Sequence, residues 1–283
     1  MMKAKLLVLL CILCNLHIYT QVNFNTNGLF EFIDTLPIPS KFMISPGQVS
    51  KNGDHFILGL TSGNLEDLTD LNSNLYTIKI GERDLKSLNL PNQVDQYRFY
   101  QCSASANDEV IVLVVNDGGG WADNELGITY RDSAGNYPNM FYLTNLNDDV
   151  QSDAYPWLSA DAKHLYFSRD FTLMYTHREN VSGEFSDPVK VDFEGDVNLE
   201  IISAWLSPDE LKMYFIANNL IYFAERKNIN DPFSFPEIFT SEFKNYYFIA
   251  GLSFMPDRKT MFIYYSDEQT DKILQYHLKK GKI

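Results

Sequence analysis

The sequence is poor in cysteine and in basic side chains. Only one of its three cysteines, Cys102, lies beyond the first 20 residues, so the remainder cannot form an internal disulfide. We interpret Cys102 as a small buried strand residue. Acidic residues outnumber basic ones by 37 to 23, and the net charge is −14. Because nucleic-acid phosphates are bound by clustered Lys and Arg, this balance argues against nucleic acid as a partner.

The sequence also lacks the motifs of common catalytic and metal sites. No serine stands in a G-x-S-x-G pattern, and the five histidines show no metal-ligand spacing. The run Gly118-Gly119-Gly120 lacks the lysine and the following helix of a phosphate-binding loop.

No hydrophobic run is long enough to cross a bilayer, which takes ~20 apolar residues. The apolar run of residues 6–13 follows Lys3 and Lys5, a layout that predicts a secretory signal peptide over residues 1–20. Residues 21–283 would then form a single domain, secreted or periplasmic, with no membrane span after cleavage. Cys11 and Cys14 each follow Leu rather than a small residue, which disfavours a lipid anchor.

The most regular feature present is a 48-residue repeat built on a strand–turn–strand pattern. Residues 157–167 return as residues 205–215, and residues 254–262 follow at the same offset. Arg178 likewise returns as Arg226. A fixed period of this size is typical of β-propellers and other repeat folds.

The turn of each repeat marks five units, spaced by 55, 54, 48 and 48 residues. The marker residues are Asn52, Asn107, Asp161, Asp209 and Asp257. We therefore predict an all-β fold, a β-propeller with five four-stranded blades. An isolated strand at residues 29–36 is expected to close the ring by pairing with the last unit, which removes free strand edges. Six blades remain an alternative if residues 22–48 contain a degenerate blade.

The turn sequences carry a family resemblance. Leu206-Ser207-Pro208-Asp209-Glu210, with its counterparts at residues 158–162 and 255–258, resembles the S-P-D-G-K turn of TolB-type, WD-like β-propeller repeats. Only Gly53 retains the glycine that usually follows the acid. The resemblance implies the fold and an extracytoplasmic setting, whereas the fold itself does not determine function.

Residues that recur in the repeat are interpreted as structural. The five marker side chains are expected to accept backbone hydrogen bonds within the turns. Trp157 and Trp205 occupy equivalent positions and are predicted to pack between blades, with sugar stacking as the alternative.

Residues that do not recur are better candidates for ligand binding. Arg98 and Tyr100 lie near the start of a predicted innermost strand. Asp117, Trp121 and Asp123 belong to the glycine-rich loop at residues 116–125. Its carboxylates could hold calcium, but their spacing is not that of a dedicated calcium loop, so no cofactor is predicted.

Asp153 and Glu200, near the starts of two innermost strands, are the candidate catalytic carboxylates. The leading hypothesis is an extracytoplasmic module that binds a protein or carbohydrate partner through loops on one face. One alternative is a glycoside hydrolase or lyase of the five-bladed propeller type that uses this carboxylate pair. Another is a scaffold within an envelope complex.

Overall fold

The computed structural model describes residues 28–64, 69–90, 98–116, 124–267 and 270–279. Within these ranges the chain forms twenty strands in five antiparallel, four-stranded sheets. The first strand, β1 (Phe30–Thr35), joins the last sheet. The predicted signal peptide lies outside the described residues.

The sheets follow one another along the chain as blades. Blade 1 contains β2 (Met43–Val49), β3 (His55–Asn64), β4 (Thr69–Lys79) and β5 (Leu85–Ser87). Blade 2 contains β6 (Arg98–Ala104), β7 (Val110–Asn116), β8 (Asn124–Tyr130) and β9 (Met140–Tyr142). Blade 3 contains β10 (Asp153–Leu158), β11 (His164–Arg169), β12 (Thr172–His177) and β13 (Val189–Lys190). Blade 4 contains β14 (Ser203–Leu206), β15 (Lys212–Ala217), β16 (Leu220–Glu225) and β17 (Glu237–Thr240). Blade 5 contains β18 (Phe248–Phe254), β19 (Thr260–Ser266), β20 (Asp271–Leu278) and β1.

The blades form a ring, which confirms the predicted five-bladed β-propeller. The first strand of each blade is innermost, and β2, β6, β10, β14 and β18 contact one another in that order and back to β2. Phe30 of β1 pairs with Leu278 of β20, so the N-terminal strand closes the ring as expected. The six-bladed alternative is wrong, because residues 28–48 contribute β1 and most of β2 rather than a further blade.

Hydrophobic side chains fill the spaces between neighbouring blades. β7 is apolar along nearly its whole length because it is covered on both faces, and all of its residues are buried. The largest cluster joins blades 3, 4 and 5 and includes Trp157, Trp205 and Phe254. Burying an aromatic ring of this kind contributes roughly 1.5–3 kcal/mol to stability.

A serine two residues before the marker residue supports most of the inner turns. The side-chain oxygen of Ser159 accepts a hydrogen bond from the backbone N–H of His164 at 2.9 Å. Asp161 Oδ1 in turn accepts bonds from Ser159 Oγ at 2.6 Å and from the Lys163 N–H at 3.1 Å. The same serine bond is made by Ser50, Ser105 and Ser207.

The other marker residues behave in related ways. Asn52 accepts a bond from Ser50 Oγ at 2.7 Å, and Asp257 accepts one from the Lys259 N–H at 2.9 Å. Asp209 accepts one from the Leu211 N–H at 3.2 Å. Asn107 instead lies in a short 3₁₀ turn with a φ of 56°.

The residue after the marker has a positive φ in every turn. Gly53 has a φ of 81°, and Asp108, Ala162, Glu210 and Arg258 have values of 55–59°. The turn therefore keeps its left-handed conformation where glycine is missing. Each non-glycine residue in this region costs roughly 1–2 kcal/mol.

The arginine that recurs as Arg178 and Arg226 stacks on an aromatic ring. The guanidinium of Arg178 lies 4.4 Å from the ring centre of Phe185, and that of Arg226 lies 4.3 Å from Phe233. Each Nε also donates to a turn carbonyl, that of Ala162 for Arg178. These residues recur because they tie the outer loop of a blade to its inner turn.

Candidate functional site

The middle of the central channel is filled by the innermost strands. Gln48 Nε2 donates to the Pro156 carbonyl at 3.2 Å, and Gln48 Oε1 accepts from Ser103 Oγ at 2.7 Å. The Ser103 oxygen also accepts from the Leu158 N–H at 2.9 Å. Only about 10 Å³ of space remains at this level, room for about one water molecule. A ligand therefore has to bind at one end of the ring or on its side.

The two candidate catalytic carboxylates have different environments. Asp153 is fully buried, and its carboxylate accepts hydrogen bonds from Arg169 Nε at 2.8 Å and Arg169 Nη2 at 3.0 Å. It also accepts the Asp148 N–H at 3.1 Å. Burial raises the pKa of Asp153, and the Arg169 guanidinium opposes this effect. Glu200 is exposed on the segment before β14. No hydrogen bond joins these two side chains, and the Asp153 carboxylate forms an ion pair with Arg169.

The structure describes only some of the predicted ligand-binding residues. Tyr100 is half-buried and packs against the cluster between blades 2 and 3. The backbone of Arg98 starts β6 and pairs with Asn116. Asp117, Trp121 and Asp123 lie outside the described residues, as does most of the loop proposed for calcium. Their role in binding stays a prediction.

The two ends of the ring differ in character. Since the strands of each blade are antiparallel, all five inner turns lie at one end, called here the turn end. The connections that lead into the innermost strands lie at the other end, called here the loop end. Among the described residues, three apolar side chains are exposed on connections at the loop end: Val150 (78%), Phe171 (39%) and Tyr247 (66%).

Phe171 has an unusual backbone conformation. Asp170 and Phe171 form the tight turn between β11 and β12, with φ values of 43° and 65°. The same turn in blade 4, 48 residues later, is made by Asn218 and Asn219, with φ values of 52° and 56°. Asparagine tolerates this region, whereas a bulky residue there is a genuine outlier. Phe171 is thus both strained and exposed.

The connections at the loop end form a continuous surface across blades 3 to 5. The Phe171 carbonyl accepts a hydrogen bond from the Ile201 N–H at 2.8 Å, which joins blade 3 to blade 4. Asn219 Nδ2 donates to the Tyr246 carbonyl at 2.9 Å, which joins blade 4 to the connection that carries Tyr247. The backbone at Phe171 and next to Tyr247 is therefore bonded to a neighbouring blade.

A small cavity lies on the ring axis at the turn end. Its volume is about 70 Å³, and its walls come from blades 1, 3, 4 and 5. Trp157, Trp205 and Phe254 supply aromatic surface, and Lys51 supplies the charge. The Lys51 ammonium lies 4.1 Å from the ring centre of Trp157. Burial lowers the pKa of Lys51 to about 7, an effect that Glu210 partly offsets.

Glu210 is the centre of a buried polar network beside this cavity. Its carboxylate contacts His164 Nδ1 at 2.8 Å and accepts the Tyr166 hydroxyl at 3.1 Å. Arg226 Nη2 donates to the same Tyr166 oxygen at 2.8 Å. The hydrogen bond that the Glu210 carboxylate accepts raises the pKa of His164. Arg226 Nη2 also lies 4.0 Å from the Glu210 carboxylate, so three side chains of blades 3 and 4 contact Glu210.

A larger cleft of about 530 Å³ lies between the outer parts of blades 3 and 4. Tyr175 and Arg226 line it, together with Val189 and Ile229, which are both exposed. Its walls also carry charges of both signs, including Lys190. The cleft combines apolar and charged surface without a cluster of catalytic groups.

No group of three or more His, Cys, Asp or Glu side chains within the described ranges is arranged to hold a metal ion. In the same part of the chain, no helix is long and apolar enough to span a bilayer.

Comparison with known proteins identifies similar folds but no family. No protein-family model matches the sequence, and no curated protein matches it. Among solved structures, TolB from Acinetobacter baumannii is similar with a TM-score of 0.53 and 13% identity. The alignment covers 86% of this chain and 56% of the TolB chain, so this chain spans just over half the length of that protein.

Two further structures are similar at lower scores. A putative 6-phosphogluconolactonase from Bacteroides uniformis has a TM-score of 0.47 and 12% identity, covering 88% of this chain and 74% of its own. A nidogen/laminin complex has a TM-score of 0.48 and 9% identity, covering 84% and 75%. At these identities the similarity to TolB supports the β-propeller fold alone.

Proposed function

We propose that this protein is an extracytoplasmic β-propeller of the TolB-like type that binds a protein partner through the loop end of blades 3 to 5. The extracytoplasmic setting is supported by the signal-like residues 1–20 and by the resemblance of the inner turns to TolB-type repeats. The similar solved structure of TolB agrees with that resemblance.

The observation that carries the proposal is Phe171. Phe171 leaves 39% of its surface exposed, and its left-handed backbone costs roughly 1–2 kcal/mol. Backbone strain of this kind concentrates at functional sites. Val150 and Tyr247 add apolar surface at the same end of the ring. Exposed aromatic residues are typical anchors of protein–protein interfaces.

The enzyme alternative receives less support from the geometry. A glycoside hydrolase needs two carboxylates facing one substrate bond, roughly 5–10 Å apart. Asp153 is instead buried against Arg169 and Glu200 is exposed, with no hydrogen bond between their side chains. The sequence also left a carbohydrate partner open, so oligosaccharides are tested below for their ability to displace the protein partner.

The test places a photo-crosslinking amino acid at position 171 in the full-length protein in its native cells. We expect one saturable protein adduct, absent when the same group is placed at Ile238, which is exposed on the outer strand β17. Phe171→Asn, which copies the turn of blade 4, should reduce co-purification of that partner at least tenfold and should not lower the melting temperature.

Two results would overturn the proposal. One is a Phe171→Asn variant that binds the crosslinked partner as tightly as the parent does. The other is an adduct that forms equally from positions 171 and 238. Displacement of the partner by an oligosaccharide panel would assign the loop end to a glycan instead.

A further inference from the structure

One position of the inner turn breaks the repeat. The residue just before the turn marker is Ala106, Ala160, Pro208 or Pro256 in blades 2 to 5, and it is Lys51 in blade 1. Four small or rigid uncharged residues thus surround the axis together with one long cation. In a repeat fold, such an asymmetry calls for an explanation other than blade structure.

The five turns converge around the axis at the turn end. The Ala106 N–H donates to the Ala160 carbonyl at 2.8 Å, which joins blades 2 and 3. Gly53 of blade 1 is packed so closely against Pro256 of blade 5 that an added Cβ would lie 2.7 Å from the proline ring. Lys51 extends from these turns to Trp157 of blade 3, although blades 1 and 3 are not neighbours in the ring.

The Lys51 ammonium lacks a counter-ion in the described part of the chain. No carboxylate there lies within ion-pairing distance of it, and the nearby Glu210 is engaged by His164 and Tyr166. The ammonium is held over the Trp157 ring instead, and such cation–π contacts are weaker than a buried ion pair. Burial of the ammonium lowers the pKa of Lys51, and the charge of Glu210 offsets this effect only in part.

A second polar group in the cavity wall is also unsatisfied. The indole N–H of Trp157 is buried and has no acceptor among the described residues. A buried donor without an acceptor costs roughly 1–3 kcal/mol. Apart from Ser50, the remaining walls are mainly apolar, as in Trp205, Phe254 and Pro208. Lys51 and Trp157 therefore bring two hydrogen-bond donors to a cavity with largely aromatic walls.

We propose that this axial cavity is a binding site for a single carboxylate on an apolar stem, with Lys51 as its counter-ion. The cavity volume of about 70 Å³ admits one small group. A carboxylate accepts hydrogen bonds from both an ammonium and an indole N–H, and its apolar stem matches the walls. The carboxylate has two sources, a free short-chain or aromatic acid or the C-terminus of a protein chain.

Binding at this site is expected to be linked to protonation. The ammonium form of Lys51 binds the carboxylate, so affinity should fall by up to about tenfold per pH unit above the pKa near 7. Glu210 is the one acid acting on Lys51, and the other wall residues carry no titratable group. The pH dependence should therefore follow Lys51 together with His164, which contacts Glu210 and has a raised pKa.

The test measures binding by calorimetry and by tryptophan fluorescence of the full-length protein at pH 6. The ligands are acetate, butyrate and benzoate, each compared with its neutral amide. A short hydrophobic peptide with a free C-terminus is compared with the amidated peptide. Lys51→Met keeps the stem and removes the charge. Lys259→Met, in the exposed turn of blade 5, is the matched control.

We expect acids to bind at least about tenfold more tightly than amides, the value of a charge-assisted hydrogen bond. Lys51→Met should abolish that preference, whereas Lys259→Met should retain it. Preference for the free peptide over the free acids would assign the site to a chain terminus, and the reverse would assign it to a small acid. Equal binding of acids and amides, no binding of either, or unchanged binding by Lys51→Met refutes the proposal. Loop-end partner binding is measured separately, so failure here leaves that proposal standing.

Discussion

The ion pair between Asp153 and Arg169 leads to a sharp prediction about stability. The Asp153 carboxylate is fully buried, and the Arg169 side chain is 14% exposed. Asp153→Ala would leave a guanidinium nearly without solvent and without its counter-ion. Removing one partner of a buried pair typically costs about 3–5 kcal/mol. Because Arg169 retains some solvent access, we expect about 3 kcal/mol, near the lower limit of that range.

This loss corresponds to a fall in melting temperature of roughly 6–12 °C for a domain of this size. Removing both charges, as in Asp153→Leu with Arg169→Met, should recover most of it, since a buried pair is often replaceable by apolar groups. Glu200→Gln is the control, because Glu200 is exposed and should change stability by less than about 0.5 kcal/mol.

Urea unfolding followed by tryptophan fluorescence and by circular dichroism measures these differences, and agreement of the two probes checks two-state behaviour. The reasoning fails if Asp153→Ala costs less than about 1 kcal/mol, or if the double variant is as unstable as the single one. Hydrolysis of a polysaccharide panel by the parent, lost in a folded Asp153→Asn variant, would restore the enzyme hypothesis.

Two further predictions concern the turns and the buried network. Arg258 has a φ of 57° and is exposed. Arg258→Gly should therefore raise the free energy of unfolding by about 0.5–1 kcal/mol, whereas Lys259→Gly next to it should lower that free energy. Equal effects of the two substitutions would contradict the strain argument. Glu210 raises the pKa of His164, so this contribution is complete below the usual histidine pKa and is lost as the pH rises through the raised value. The parent should therefore lose more stability than His164→Gln between pH 6 and pH 8.5 in thermal melts, and parallel pH curves would exclude the effect.

The fold could be predicted because each blade repeats its own local chemistry. A Ser–x–Asp turn between two apolar strands specifies a hairpin without reference to the rest of the chain, and the period then counts the blades. The closing strand could be predicted for a related reason, because the last unit contains three strands and needs a fourth strand from elsewhere. These conclusions needed only short-range patterns.

The sites could be predicted only in part, because they depend on contacts between blades. Lys51 and Trp157 meet across the axis, and no spacing in the sequence indicates that contact. The signal that could have found Lys51 was its place among alanines and prolines in the aligned turns. The partner of Asp153 could not be predicted by counting along the hairpin, because a β-bulge between Ala154 and Trp157 shifts the register and places Arg169 opposite Asp153.

The strand that closes the ring has a kinetic consequence. Phe30 pairs with Leu278, so nearly the whole chain separates the two strands that complete blade 5. Contacts so distant in sequence form late, and folds dominated by them form slowly. Until β20 is available, β1 and β19 present unpaired edges to any neighbouring chain. A chain arrested before residue 271 should therefore be a target for chaperones and for aggregation, even though four of its five blades are complete.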